Sequence, residues 1–226
     1  MLRGPMQSWG TTSRYKQRAT DAMPTKSGVL GMIASAQGRR RTDPLEDLAD
    51  LFFAVRVDQP GTLLRDYQTS QDWRAGKATN LVTRYYLADA VFVAAIQSPN
   101  REFLESIEQA LNNPRYMLYL GRRSCPVSPD LVIGIQDTDA VTALQNEPWH
   151  ASYSHRLVRT RRVILPIYRD ARPGESGLAA QDVPVSFSQE HRRYSWREIV
   201  GDEGGAPFEN PDGRADDPYF EAVVAG

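Results

Sequence analysis

The order in which hydrophobic periods change along the first 136 residues limits the folds open to this chain more than any other feature. "PTKSGVLGMIASAQG" (24–38) opens on Pro24 and small hydroxyl side chains, then sets Val29, Leu30, Ile33 and Ala36 at helical spacing before Gly38. That spacing predicts an amphipathic helix. "DPLEDLADL" (43–51) reads as a shorter helix and "FFAVRVD" (52–58), rich in β-branched and aromatic residues, as a strand. Residues 59–86 show no clear period. "ADAVFVAAI" (88–96) is again a strand, and "SPNREFLESIEQALNNP" (98–114) a helix with Ser98 as cap, Pro99 in its first position and Phe103, Leu104, Ile107, Ala110 and Leu111 on one face. "RYMLYLG" (115–121) and "DLVIGIQ" (130–136) read as strands on either side of "GRRSCPVSP" (121–129).

Helix, strand, irregular insertion, strand, helix, strand is the order of a ferredoxin-like (RRM-like) split βαβ domain that lacks only its first strand. Met1, Leu2 and Arg3 are all that stands where that strand belongs. Past residue 150, "RLVRTRRVILPIY" (156–168), "VPVSF" (183–187) and "RRYSWREIV" (192–200) read as strands. The expectation is an α+β chain: a first domain over 1–148, with an insertion at about 64–87, and a smaller β-rich part over 149–226.

Several function classes are excluded by composition. No apolar run approaches the roughly 18 residues of a membrane span, and the first residues lack a secretory pattern, so a soluble, cytoplasmic protein is expected. One cysteine and three scattered histidines, His150, His155 and His191, give neither a disulfide framework nor metal-ligand spacing. No cofactor is expected. The formal net charge is −1, yet residues 1–42 carry eight basic side chains against Asp21 alone, and residues 200–226 carry seven acidic ones against Arg214. A neutral total therefore conceals a basic front that could meet an anion, and an acidic tail.

Lys26 and Ser27 at a helix start invite comparison with a phosphate loop, but Thr25 and Thr20 stand where that motif needs glycines. What survives is the general affinity of a helix N-terminus for anions, with Lys26 adding a charge. "GRRSCP" is open to three readings: a nucleophile at Cys125, a metal site, or a close backbone approach to an anion. A cysteine nucleophile needs a histidine brought beside it. Arg122 and Arg123 instead offer planar donor sets suited to phosphate, and Gly121 removes a side chain beside them. The insertion interleaves Arg65, Arg74, Lys77 and Arg84 with Tyr67, Trp73, Tyr85 and Tyr86. Such interleaving suits single-stranded RNA, whose bases stack while arginines hold the backbone.

Taken together, "GPMQSWG" (4–10), "PTKSGVLGMIASAQGRRR" (24–41), "RDYQT" (65–69), "YLADAVFVAA" (86–95) and "PRYMLYLGRRSCPVSP" (114–129) resemble the CasD family, the ferredoxin-like RAMP subunit of the type I-E CRISPR complex Cascade. The resemblance covers about the first 130 residues. It implies a non-catalytic subunit that caps the 5′ handle of the mature crRNA, packs against the Cascade backbone and large subunits, and meets target DNA only through the complex. It implies a hairpin thumb at about 64–87. The RNA-facing residues it implies are Gln7, Ser8, Trp9, Arg14, Thr25, Lys26, Ser27, Arg39, Arg40, Trp73, Arg84, Tyr85, Gly121, Arg122, Arg123 and Ser124, with Cys125 and Pro126 structural. The family has a full strand before "GPMQSWG"; against that pattern the short start reads as displaced, with an unpaired sheet edge as its consequence.

The competing reading is a metal-independent endoribonuclease that processes precursor crRNA. Histidine is the usual base for such chemistry, and none occurs in the first 149 residues. His150, His155 and His191 are expected at the surface. A module that touches only protein is the third reading.

Overall fold

The structure is a computed structural model that describes residues 1–10, 17–72, 77–188, 190–202, 205 and 207–214. It is a mixed α/β chain built on an antiparallel sheet. In chain order the elements are β1 (Leu2–Arg3), β2 (Met6–Gln7), β3 (Gln17–Arg18), α1 (Lys26–Ala36), α2 (Glu46–Ala49), β4 (Phe52–Gln59), β5 (Thr62–Asp72), β6 (Lys77–Ala88), β7 (Val91–Gln97) and α3 (Arg101–Asn112). After them come α4 (Ala140–Asn146), α5 (Tyr153–Leu157), β8 (Arg162–Ile164), β9 (Ile167–Asp170), β10 (Leu178–Ser186), β11 (Arg193–Asp202) and β12 (Pro207–Glu209).

The main sheet runs β1-β7-β4-β9-β11-β10. β4 and β7 are its centre, in register Ala54↔Ala95 and Val55↔Ala94. Their sequences are apolar on both sides of the pleat because both faces are covered. Phe53, Val55, Phe92, Ala94 and Ile96 point into one cluster with Leu30 and Ile33 of α1 and Ile107 of α3. Ala54, Val93 and Ala95 point into a second cluster with Ala140 and Leu144 of α4. β1 adds only two rungs to β7, Leu2↔Phe92 and Arg3↔Val91. On the other side β9 pairs with β4, so strands from beyond residue 148 extend the same sheet.

Arg56 shows how firmly the chain past α4 is tied to this centre. It is fully buried and grips Asp58 through two bonds of 2.7 and 2.9 Å, while donating to the carbonyls of Glu147 and Pro148 at 2.5 and 2.7 Å.

The aperiodic insertion is a long hairpin. β5 and β6 pair from Thr62↔Ala88 out to Asp72↔Lys77, and at its base β6 also pairs with β2 and β3. No period two is written into β5 because neither of its faces is buried over 62–69: Leu63 is 60% exposed on one face and Leu64 42% on the other.

Four local expectations are corrected. The long helix is capped by Asn100, whose Oδ1 accepts the N–H of Phe103 at 3.0 Å, so Ser98 and Pro99 lie outside it. The stretch 88–96 breaks at Asp89, where φ is +56°, and β7 starts at Val91. Residues 115–121 and 130–136 are not strands. Leu120 and Cys125 are sunk into the core and bonded to each other, Leu120 N–H to Cys125 C=O at 2.7 Å, so this segment is a tight loop with one bridge, Tyr119↔Pro126. Finally, 156–168 is no single strand: Ser152 caps α5, and Pro166 separates β8 from β9.

Candidate nucleic-acid interface

A cleft of about 270 Å³ opens between α1, the end of β2, the 117–121 segment and the side chains of Phe187, Arg192 and Tyr194. Two glycines of α1 make it possible. A Cβ on Gly28 would stand 2.8 Å from Trp9 Cε3, and one on Gly31 would stand 3.3 Å from Phe187 Cζ. Both rings can therefore lie directly on the helix. Trp9 forms the floor, with its Nε1–H donating to Gln7 Oε1 at 3.0 Å. Gln7 is itself buried and donates to the carbonyls of Leu2 and Ala90 at 3.0 and 2.7 Å, so its amide is fully used inside the core. Ser8, also on the cleft wall, donates through Oγ to Tyr85 C=O at 3.2 Å.

Thr25 and Ser27 line the cleft as well, but the start of α1 is already satisfied. Thr25 Oγ1 accepts the N–H of Gly28 at 3.2 Å, and the N–H of Lys26 goes to Asp182 Oδ2 at 2.7 Å. The anion at this helix N-terminus is the protein's own carboxylate. Lys26 is only 5% exposed, and its Nζ pairs with Asp170 at 3.0 Å. Arg197 closes the group, bonded to Asp182 at 2.6 Å and to Asp170 at 2.7 Å. Burial would lower the Arg197 guanidinium, but Asp182 and Asp170 outweigh it and raise it. Two cations and two anions thus cancel, and Lys26 does not supply the free charge expected of it.

The rim is basic. Arg39, Arg40 and Arg41 follow α1 and face Arg192 from the second half of the chain. Arg39 is committed to Asp47 by a two-pronged pair that raises its own pKa and lowers that of Asp47. The exposed side chains of Arg40, Arg41 and Arg192 make no hydrogen bond or ion pair among the described residues.

Beside the cleft, Gly121 sits at φ +81°, and a Cβ there would fall 1.8 Å from Ser8 O. Arg122 turns back from this point. It donates to the carbonyls of Tyr85, Arg18 and Ala19 at 3.1, 3.1 and 3.2 Å, and its guanidinium lies 4.9 Å over the Tyr86 ring. Arg123 and Ser124 remain exposed. Burial alone would raise the Tyr86 phenol, but hydrogen bonds from Ser124, Arg122 and Arg84 outweigh it and hold it below its ordinary value. Cys125 is fully buried against Ser124 Oγ at 3.9 Å, and burial pushes its thiol up, the opposite of what an activated nucleophile needs.

On the hairpin, Arg84 and Tyr85 are half-buried in β6, and Arg84 Nε is enclosed with no hydrogen-bond partner among the described residues. Arg65 lies 6.0 Å over the Tyr67 ring. Arg14 and Trp73 fall outside the described residues, as does most of the acidic tail.

The sequence model of the family described as CRISPR-associated protein (Cas_Cas5) matches residues 1–200. The chain belongs to this Cas5 family. It is similar to the CRISPR system Cascade subunit CasD of Escherichia coli (strain K12), 38% identical over 165 residues that cover 64% of this chain and 74% of that protein. Among solved structures it is similar to a chain of a CRISPR RNA-guided surveillance complex, with a TM-score of 0.74 and 31% identity over 99% of this chain and 97% of that one. A crystal structure of a Cas protein matches with a TM-score of 0.68 and 33% identity, over 96% of this chain and 97% of that one.

In this Cas5-family chain, the histidines separate into two places. His150 pairs with Glu147 at 2.7 Å beside β4, and half-buried His155 packs edge-on to Trp149, its pKa lowered by burial and by the charge of Arg159. Exposed His191 precedes Arg192 at the cleft. Arg41, Arg192, Tyr194, Phe187, Met117 and Ser35 are among the cleft residues that sequence reasoning missed. The signal for Arg192 and Tyr194 was present in "HRRYSW" (191–196), which interleaves basic and aromatic residues as the insertion does. No group of three or more His, Cys, Asp or Glu among the described residues is placed to hold a metal, and no helix among them is long and apolar enough to cross a membrane.

Proposed function

We propose that this chain is a non-catalytic, crRNA-binding subunit of a Cascade surveillance complex, acting in antiviral defence by capping the 5′ handle of the crRNA. The observation that carries the reading is the cleft: Ser8, Trp9, Thr25, Ser27, Arg39, Arg40 and Gly121, drawn from three separate stretches of sequence, meet around one basic-rimmed opening. Similarity to a Cascade subunit and to a chain of an RNA-guided surveillance complex supports it. In this reading β1, β7 and β4 with α1 and α3 are the split βαβ of a ferredoxin-like RAMP domain over 1–148, and the β5–β6 hairpin is its thumb. The described strands past residue 148, β9 to β11, brace that domain. Arg40 and Arg123 contact phosphates, while the Cascade backbone and large subunits pack against the outer surfaces and bring in target DNA. The site of action is the cytoplasm.

Expression of the chain with its genomic neighbours, followed by sequencing of co-purified RNA, tests the assignment. A short RNA of uniform 5′ end is expected. A protein-only complex would replace this reading with that of an interaction module.

Exposed His191 beside the cleft keeps the endoribonuclease reading open to experiment. Incubation of the chain with repeat-containing precursor RNA in chelator should leave the RNA intact. Cleavage that disappears in His191→Ala would establish the enzyme instead.

A further inference from the structure

The run "LVRTRR" (157–162) joins the end of α5 to the start of β8, and every residue of it is exposed. Tyr153 lies one turn before Leu157 on the same face of α5 and is 60% exposed, while Val158 is 57% exposed. Apolar and basic side chains are thus mixed on one stretch of surface. Arg159 and Arg161 make no side-chain hydrogen bond or ion pair among the described residues, and Arg162 has only Glu209 at 3.4 Å, with both side chains in solvent. The chain itself delivers a complement to this place. Asn210 Nδ2 donates to the carbonyls of Arg156 and Thr160 at 2.9 Å each, Arg156 pairs with Asp212 at 2.9 Å, and Arg214 N–H donates to Arg159 C=O at 2.9 Å. A Cβ on Gly213 would stand 2.5 Å from Thr160 O, so the approach is close. Arg214, fixed in this way against Thr160, is followed by "ADDPYFEAVVAG" (215–226), which sets Asp216, Asp217 and Glu221 among Tyr219, Phe220, Val223 and Val224.

We propose that residues 216–224 of this chain lie back on the 157–162 run, their carboxylates on Arg159, Arg161 and Arg162 and their apolar side chains on Tyr153, Leu157 and Val158. The arginine rim of the cleft would also attract an acidic segment, but only the 157–162 run stands where this segment begins. Its first carboxylate is two residues past Arg214, within about 7 Å of extended chain. A tether that short holds the carboxylates at an effective concentration in the mM range, far above that of any free acidic peptide. The contact screens a basic face from polyanions, which must displace the segment before they can use it.

The test uses the full chain. Arg161→Lys keeps the charge and offers an amine to a carbodiimide, which couples only amines and carboxylates in direct contact. Peptide mass spectrometry should find position 161 joined to Asp216, Asp217 or Glu221 of the same chain, and the product should disappear in about 1 M salt, where charges are screened beyond roughly 3 Å. A product from Arg192→Lys and none from Arg161→Lys would put the segment at the cleft and overturn the proposal. Coupling to Glu209 alone, to a second copy, or to nothing overturns it as well. Affinity for a short fluorescent DNA duplex is the second readout. Neutralising the segment by Asp216→Asn, Asp217→Asn and Glu221→Gln together should tighten binding about tenfold at low salt, as uncovering a face that is free about one-tenth of the time does. Adding Arg159→Gln and Arg161→Gln should abolish that gain. An equal gain with and without these arginines would trace it to net charge alone and overturn the docked segment.

Discussion

The backbone N–H of Lys26 ends on the carboxylate of Asp182, 2.7 Å away although the two residues are 156 positions apart. Asp182 thus acts as a cap from β10 on α1, and through Arg197 and Asp170 it locks the second half of the chain to the helix that forms the cleft wall. Removing one member of a buried, hydrogen-bonded charge group leaves the others uncompensated, which costs about 3 to 5 kcal/mol.

Asp182→Ala should therefore lower the free energy of unfolding by that amount in a denaturant titration. Lys26→Met should also destabilise the chain. A Lys26→Met protein with unchanged stability and lost RNA affinity would mean that the lysine serves RNA and not the internal group.

Arg122 and Arg123 should separate cleanly. Arg122→Ala removes bonds to three carbonyls and the cover over Tyr86, and should cost about 1.5 to 3 kcal/mol in unfolding free energy, the range for a hydrogen bond to a charged group. Faster amide exchange at Tyr85–Leu87 would locate the damage at the hairpin base. Arg123→Ala should leave stability within about 0.5 kcal/mol and reduce the salt dependence of RNA binding. If both substitutions change only the salt dependence, the clamp role of Arg122 fails.

Gly121→Ala places a methyl group 1.8 Å from Ser8 O at φ +81°. Neither backbone can yield without moving the cleft, so a loss of more than about 3 kcal/mol or a failure to fold is expected. Gly174→Ala, with a similar positive φ of +87° but nothing within 4 Å of the new Cβ, is the control. It should pay only the conformational cost of about 1 to 2 kcal/mol, and equal thermal melts for the two variants would remove the close approach as the cause.

Glu175 supplies a pH dependence. Its pKa is lowered from 4.5 to about 2, first by hydrogen bonds from Arg169 and then by the backbone N–H of Arg172. A carboxylate depressed on folding adds stability that is complete above its unfolded pKa and vanishes as pH falls through the folded one. The melting-temperature advantage of wild type over Glu175→Gln should be constant above about pH 4.5 and shrink towards pH 2. An advantage that persists unchanged at pH 2 would show that the pair contributes through packing and not through charge.

Leu63 and Tyr67 stand on one face of the hairpin, both more than half exposed. Tyr67→Ser should leave thermal unfolding of the isolated chain unchanged, since surface substitutions usually fall within about 0.5 kcal/mol. It should reduce retention of the chain in the assembled complex on gel filtration. A large drop in melting temperature with normal assembly would place Tyr67 in the folded core.

Helices α1 and α3 were legible in the amino-acid order because each buries a face at helical spacing, and strands β4 and β7 because both their faces are covered and they read as short apolar runs. The small residues of "SGVLG" carried the same kind of message, since two rings rest on that helix. The hairpin was legible only as chemistry, a run of basic and aromatic residues, because strands exposed on both faces need no alternation. The segments 115–121 and 130–136 look like strands and are not: of their apolar residues only Leu120 is buried, while Tyr116, Met117 and Ile133 are exposed, and Leu120 is held by hydrogen bonds from elsewhere in the chain, such as Ser8 N–H to Leu120 C=O at 3.1 Å. The role of each charged residue was the least legible. Lys26, Arg122 and Arg40 are alike as sequence, yet the first is spent on Asp170, the second on carbonyls up to 104 positions away, and the third has no side-chain partner among the described residues. Residue type determines that a guanidinium or ammonium will seek an acceptor. Only the tertiary structure decides whether that acceptor is the protein itself or is left for a ligand, because an ion pair acts over a few ångströms of space and takes no account of distance along the chain.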